Sequence, residues 1–99
     1  MSGGPALTAV VPPVSVVLSQ ALINLFPGAA MRVTVPAGTV GAMIDALDQR
    51  WPGMGDRLRD TSPAVRRHIN IFCGGRRLSL DAPLSPGDEV FVLTAVSGG

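Results

Sequence analysis

From Met31 to Val35 apolar and polar side chains alternate one by one, with Met31, Val33 and Val35 set against Arg32 and Thr34. That is the rhythm of a strand with one dry and one wet face. Just upstream, Val14 to Leu18 is a short, largely apolar and β-branched run. It predicts a first strand, central in its sheet and buried on both faces. The connection between the two is short enough for antiparallel pairing. Ser19 to Phe26, lying between them, predicts one helical turn with Ala21, Leu22 and Leu25 on one side, stopped by Pro27-Gly28.

The rhythm then changes. Val40, Met43, Ile44, Leu47 and Trp51 recur at spacings of three and four, with Asp45, Asp48, Gln49 and Arg50 between them. This is the main helix, with Thr39 as its N-cap, Pro52-Gly53 as its stop, and Met43 and Trp51 as core residues. Gly53 to Pro63 reads as loop with a single turn around Asp56 to Arg59. Ile69 to Cys73 returns to alternation: Ile69, Ile71 and Cys73 face inward, Asn70 and Phe72 outward, so Cys73 is expected to be a small buried hydrophobe. Gly74-Gly75 suits a tight hairpin. It is not a phosphate cradle, because no helix start follows it. Arg76 to Leu80 reads as a short edge segment, and Ser85-Pro86-Gly87-Asp88 as a type II turn. Val90 to Val96 is the last strand, with Val90 and Val92 inward and Phe91 and Leu93 outward beside Phe72. The order of elements predicts an α+β domain, a mixed four- to five-stranded sheet packed on one main helix. The organisation expected is a flexible leader at 1–13, the folded domain at 14–96 and an exposed diglycine tail at 97–99.

Composition removes several classes of function. Ninety-nine residues make one domain, able to bury roughly 60 to 65% of the unfolded chain's surface. A net charge of +1, with four aromatic residues, argues against nucleic acid. One cysteine, Cys73, and one histidine, His68, supply neither a disulfide nor a zinc-ligand set, nor the nucleophile, base and orienting group of an autonomous enzyme. The apolar run from Ala9 to Leu18 is broken by Pro12-Pro13, so no membrane span is expected, and a reducing cytoplasm is the default. All eight basic side chains are arginines. Arg66, Arg67, Arg76 and Arg77 read as solvated surface, with a place flanking the outward Phe72, Phe91 and Leu93 as the alternative.

The sequence finishes on Val96-Ser97-Gly98-Gly99. Two glycines form a thin stalk able to thread a narrow channel. The carboxylate at its end is a poor electrophile until it is esterified or adenylated. Its natural chemistry is therefore activation by another protein, then transfer to a sulfur or amine nucleophile. A terminal Gly-Gly also arises by chance, and its weight comes from the body behind it.

Leu84-x-x-Gly87-Asp88-Glu89-Val90, a following strand and the final Gly-Gly resemble the MoaD/ThiS sulfur carriers, which are ubiquitin-like β-grasp proteins. The likeness runs from about Val14 to Gly99, and His68-Ile69-Asn70-Ile71-Phe72 looks like the third-strand motif of the MoaD-like branch. The resemblance implies that Gly99 bears the adenylate and then the thiocarboxylate, and that Gly98 gives clearance in a partner's channel. It implies an E1-like adenylating enzyme that uses ATP, no cofactor bound stably by the carrier, and a sulfur-accepting biosynthetic enzyme for molybdopterin, cysteine or a related product. Phe72, Phe91, Leu93 and Ser97 are the expected partner-binding residues. Family tails often carry a proline where this chain has Thr94-Ala95, so the tail is expected to be less stiff. Two other readings stay open: a ubiquitin-like modifier conjugated through Gly99, and a non-catalytic interaction module.

Overall fold

A computed structural model describes residues 13–61 and 64–94. The leader before Pro13, and Ser97, Gly98 and Gly99 at the other end, lie outside the described residues. Five strands, β1 (Pro13–Leu18), β2 (Arg32–Pro36), β3 (Ile69–Cys73), β4 (Arg76–Arg77) and β5 (Glu89–Thr94), form one sheet in the order β2-β1-β5-β3-β4. The central pair β1 and β5 is parallel, and every other pairing is antiparallel. Three helices, α1 (Gln20–Leu25), α2 (Val40–Arg50) and α3 (Met54–Leu58), complete the mixed α+β architecture.

The core follows from the two rhythms. Val14, Val16, Leu18, Val33, Val35, Ile69, Ile71, Val90 and Val92 point from the sheet onto Val40, Met43, Ile44 and Leu47 of α2, and all are buried. Thr39 caps α2 by accepting from the amide of Ala42 at 3.1 Å, and Trp51 closes the helix while packing against the cluster from its edge. Both predicted turns form. Gly74 and Gly75 have φ of +60° and +79°, the left-handed pair of a tight hairpin. Gly87 at φ +83° occupies the position of the type II turn that needs positive φ, closed by Asp88 N donating to Ser85 O at 3.0 Å.

The structure corrects several expectations. β1 is central but not buried on both faces: Val17 and Ser15 are only half-buried, because the helices cover one side of the sheet. In α1 the inward residues are Leu22, with Ile23 and Phe26 packed beside it, while Ala21 and Leu25 are exposed. Ser19 sets that phase by capping the helix, accepting from the amide of Leu22. Met31 precedes β2 and is exposed. Cys73, the last residue of β3, is half-buried because β4 beside it is only two residues long. The largest difference is α3. The stretch expected to be mostly loop buries Met54 and Leu58 completely, and its end is tied to α2 by an ion pair from Arg59 to Asp45 at 2.6 Å.

Candidate functional site: an open sheet face and the end of β5

The face of the sheet turned away from the helices carries a continuous cross-strand row. Arg32 pairs with Val17, Val17 with Phe91, Phe91 with Phe72, and Phe72 with Arg77. Register partners share a face. Adjacent strands lie about 4.8 Å apart, so the row spans roughly 19 Å with an arginine at each end. Leu93 extends the apolar middle, opposite Asn70. Phe91 and Leu93 are 36% and 39% exposed, and Phe72 is half-buried between its neighbours.

The two ends of the row differ in electrostatics. Arg32 is neutralised by an ion pair to Glu89, and its guanidinium also donates to Ser15 Oγ at 3.2 Å. Arg77 is exposed and makes no ion pair among the described residues. The face therefore has an apolar centre, a neutral polar rim on the β2 side and a cationic rim on the β4 side. That is the layout of a protein-binding patch.

Because β5 runs parallel to β1, both central strands reach the same end of the sheet. There Ser19 N donates to Val92 O at 3.0 Å, Thr94 Oγ1 donates to Ser19 Oγ at 3.2 Å, and Thr94 sits opposite Ile69. Thus the strand leading to the C-terminal residues is held on both sides up to its last described position, and it borders the same face as Phe91 and Leu93.

The structure brings Phe72, Phe91 and Leu93 together as the sequence predicts. Ser97, Gly98 and Gly99 lie outside the described residues. Arg77 is exposed, as expected of solvated surface, and it also flanks the patch beside Phe72; a two-residue strand carries too little pattern for its register to be read. Arg66 lies elsewhere, its Nε donating to the carbonyl of Asp56. Val17 joins the patch although its apolar run suggested a position inside. Among the described residues there is no cluster of metal-ligating side chains, and no helix long and apolar enough to cross a membrane.

An open-faced mixed sheet over one main helix, with a central last strand parallel to the first, defines a ubiquitin-like β-grasp protein. The ThiS family profile matches residues 25–99. The chain belongs to the ThiS family. It is 31% identical over 78 residues to the sulfur carrier protein CysO of Mycobacterium tuberculosis, covering 73% of this chain and 84% of that protein. Among solved structures, a chain of the Amycolatopsis orientalis BexX/CysO complex superposes with a TM-score of 0.78 at 28% identity, covering 87% of this chain and 99% of that one. SAMP1 from Haloferax volcanii gives 0.73 at 27% identity, over 88% of this chain and 99% of that one. These relatives join sulfur carriage and ubiquitin-like modifiers in one fold, and this chain is a sulfur carrier of that kind.

Proposed function

We propose that the carrier's reactive group is the C-terminal carboxylate of Gly99, activated and loaded by partner enzymes. An E1-like enzyme joins that carboxylate to the α-phosphate of ATP, releasing pyrophosphate. A sulfur donor then displaces AMP to leave a thiocarboxylate, which an accepting enzyme consumes. Gly98 gives the clearance needed for threading, and Ser97 is the first tail residue a partner meets. Phe72, Phe91 and Leu93 form the docking face. Ordering each tail residue costs roughly 1 to 2 kcal/mol of backbone entropy, so affinity must come largely from the folded body.

The observation that carries this reading is the coupling of the apolar face to β5, since one partner surface can grip Phe91 and Leu93 while receiving the residues that follow. Among the destinations, the relatives named CysO favour cysteine synthesis over molybdopterin. Intact mass spectrometry after incubation with ATP, an activating enzyme and a sulfur donor tests the chemistry. The expected product is heavier by the exchange of one oxygen for one sulfur, and an unchanged mass refutes it. The likeness to SAMP1 supports a second reading, capture of the same adenylate by lysines of other proteins. Larger covalent adducts of a tagged chain in cells, lost on deleting Gly98-Gly99, are its signature. The cytoplasm, where ATP and reduced thiols are abundant, is the compartment that suits either chemistry.

A further inference from the structure

A second feature lies off the sheet face, at the end of the molecule to which β5 runs. A cleft of about 580 Å³ opens between the turn after α1, the start of α3 and the lead-in to β3. Its apolar wall is Leu25 and Phe26, and its polar wall is Asp56, Arg57, Arg66 and His68. The walls are fixed from behind. The Phe26 ring lies against Gly53, where an added Cβ would stand 3.5 Å from Phe26 Cε1. Asp48 accepts from the amides of Gly53 and Gly55 at 3.0 and 2.8 Å. Arg66 is anchored through its backbone amide to Leu58 O at 2.9 Å and through its Nε to Asp56 O.

The donors left over face outward. The Nε contact leaves the Nη pair of Arg66 available as a fork. The side chains of Arg57 and His68 are exposed and make no hydrogen bond or ion pair among the described residues. An imidazole offers at least one N–H in either protonation state. Against these donors stands a single carboxylate, Asp56. A small-molecule site encloses most of its ligand. Here Leu25 is 50% exposed, and Gly53, Asp56, Arg57 and His68 are exposed as well, so the cleft suits a segment laid across it.

We propose that this cleft is a docking site for an acidic peptide segment of a partner protein, with an apolar side chain against Leu25 and Phe26 and flanking carboxylates on Arg57, Arg66 and His68. His68 immediately precedes Ile69, which pairs with Thr94 at the end of β5. A partner held here is therefore placed beside the residues that lead to the C-terminus, on a surface distinct from the Phe72–Phe91 face. The site does not depend on the sulfur chemistry, and its test is separate from the mass measurement.

The test uses the full ¹⁵N-labelled chain titrated with an end-blocked hexapeptide of alternating glutamate and leucine. Saturable amide shifts confined to Leu25, Phe26, Gly53, Arg57, Arg66 and His68 are expected. The double variant Arg57→Gln, His68→Gln should keep its spectrum elsewhere and lose about tenfold or more in affinity, as charge-assisted contacts are removed. No saturable shift at millimolar peptide overturns the proposal. So does an equal response to a lysine-leucine hexapeptide, or reproduction of the same shifts by inorganic phosphate alone, which would make the cleft a general anion site.

Discussion

Phe72 stands directly opposite Phe91 across the antiparallel β3–β5 ladder, on the face the helices leave open. A cross-strand pair of this kind contributes roughly 0.2 to 1 kcal/mol to the fold. An aromatic anchor at the centre of an interface is worth considerably more to binding. The same ring thus has a small structural role and a large expected role in docking.

Phe91→Ala should accordingly separate the two. Thermal unfolding should fall by only a few degrees, while the activating enzyme's KM for the carrier rises at least about tenfold, matching a hot-spot loss above about 1.4 kcal/mol. Adenylation kinetics on folded variants check this. A variant that is activated with unchanged KM would show that the face is not where the enzyme docks.

Leu58 tests the segment that the sequence presents as loop. Its side chain is fully buried on α3, in the same cluster as Leu47 and Ile71. Leu58→Ala should lower unfolding free energy by about 2 to 5 kcal/mol. An exposed loop leucine would lose well under 1 kcal/mol. Urea titration distinguishes the two outcomes.

The contrast between α2 and α3 shows what the sequence makes legible. Eleven residues of α2 display several turns of a three-and-four spacing, bounded by Thr39 and Pro52, and that much repetition fixes both the helix and its buried face. Met54-Gly55-Asp56-Arg57-Leu58 has two apolar residues in one turn, between proline- and glycine-rich flanks, so no period can establish itself. Turns were readable because positive φ restricts the choice of residue, as at Gly74, Gly75 and Gly87. Partners distant in sequence were not. The placement of Arg77 beside Phe72, and of Arg66 with Arg57 and His68 around one cleft, depends on register and on how the loops close. Of the candidate site, the outward phase of Phe72, Phe91 and Leu93 was legible from alternation alone.

Asp48 holds the start of α3 to α2, as the Arg59–Asp45 ion pair holds its end. One of its oxygens accepts from two amides, those of Gly53 and Gly55. Gly55 lets the carboxylate sit close, since a Cβ there would lie 3.1 Å from that oxygen and push it back by a few tenths of an ångström. Asp48→Ala removes both bonds and strands a half-buried donor, with an expected loss of about 1 to 3 kcal/mol. Hydrogen exchange should localise the change, with Gly53, Gly55 and their neighbours losing protection while the β1–β5 ladder keeps it. Uniform loss across the domain would contradict a local clamp.

The alkaline stability of this protein should report on one side chain. The sequence has no lysine and no tyrosine, so Cys73 is the side chain that titrates between the α-amino group and the arginines. Burial pushes its thiol above the ordinary value; the charge of Asp88 and a hydrogen bond to that carboxylate add to the rise, and a backbone hydrogen bond at Glu89 opposes it. Below the unfolded thiol's pKa both states hold the proton, and the stabilisation of the neutral thiol is fully present. Between the unfolded and the raised folded value the native state binds more protons than the unfolded one, so unfolding free energy falls with pH. Above the folded value the loss is complete. Urea titrations across this range should therefore decline for the native chain and stay level for Cys73→Ala, with thiol alkylation of the folded protein slower than that of the urea-unfolded chain at the same mildly alkaline pH. A decline that persists in Cys73→Ala would assign the pH dependence to some other group.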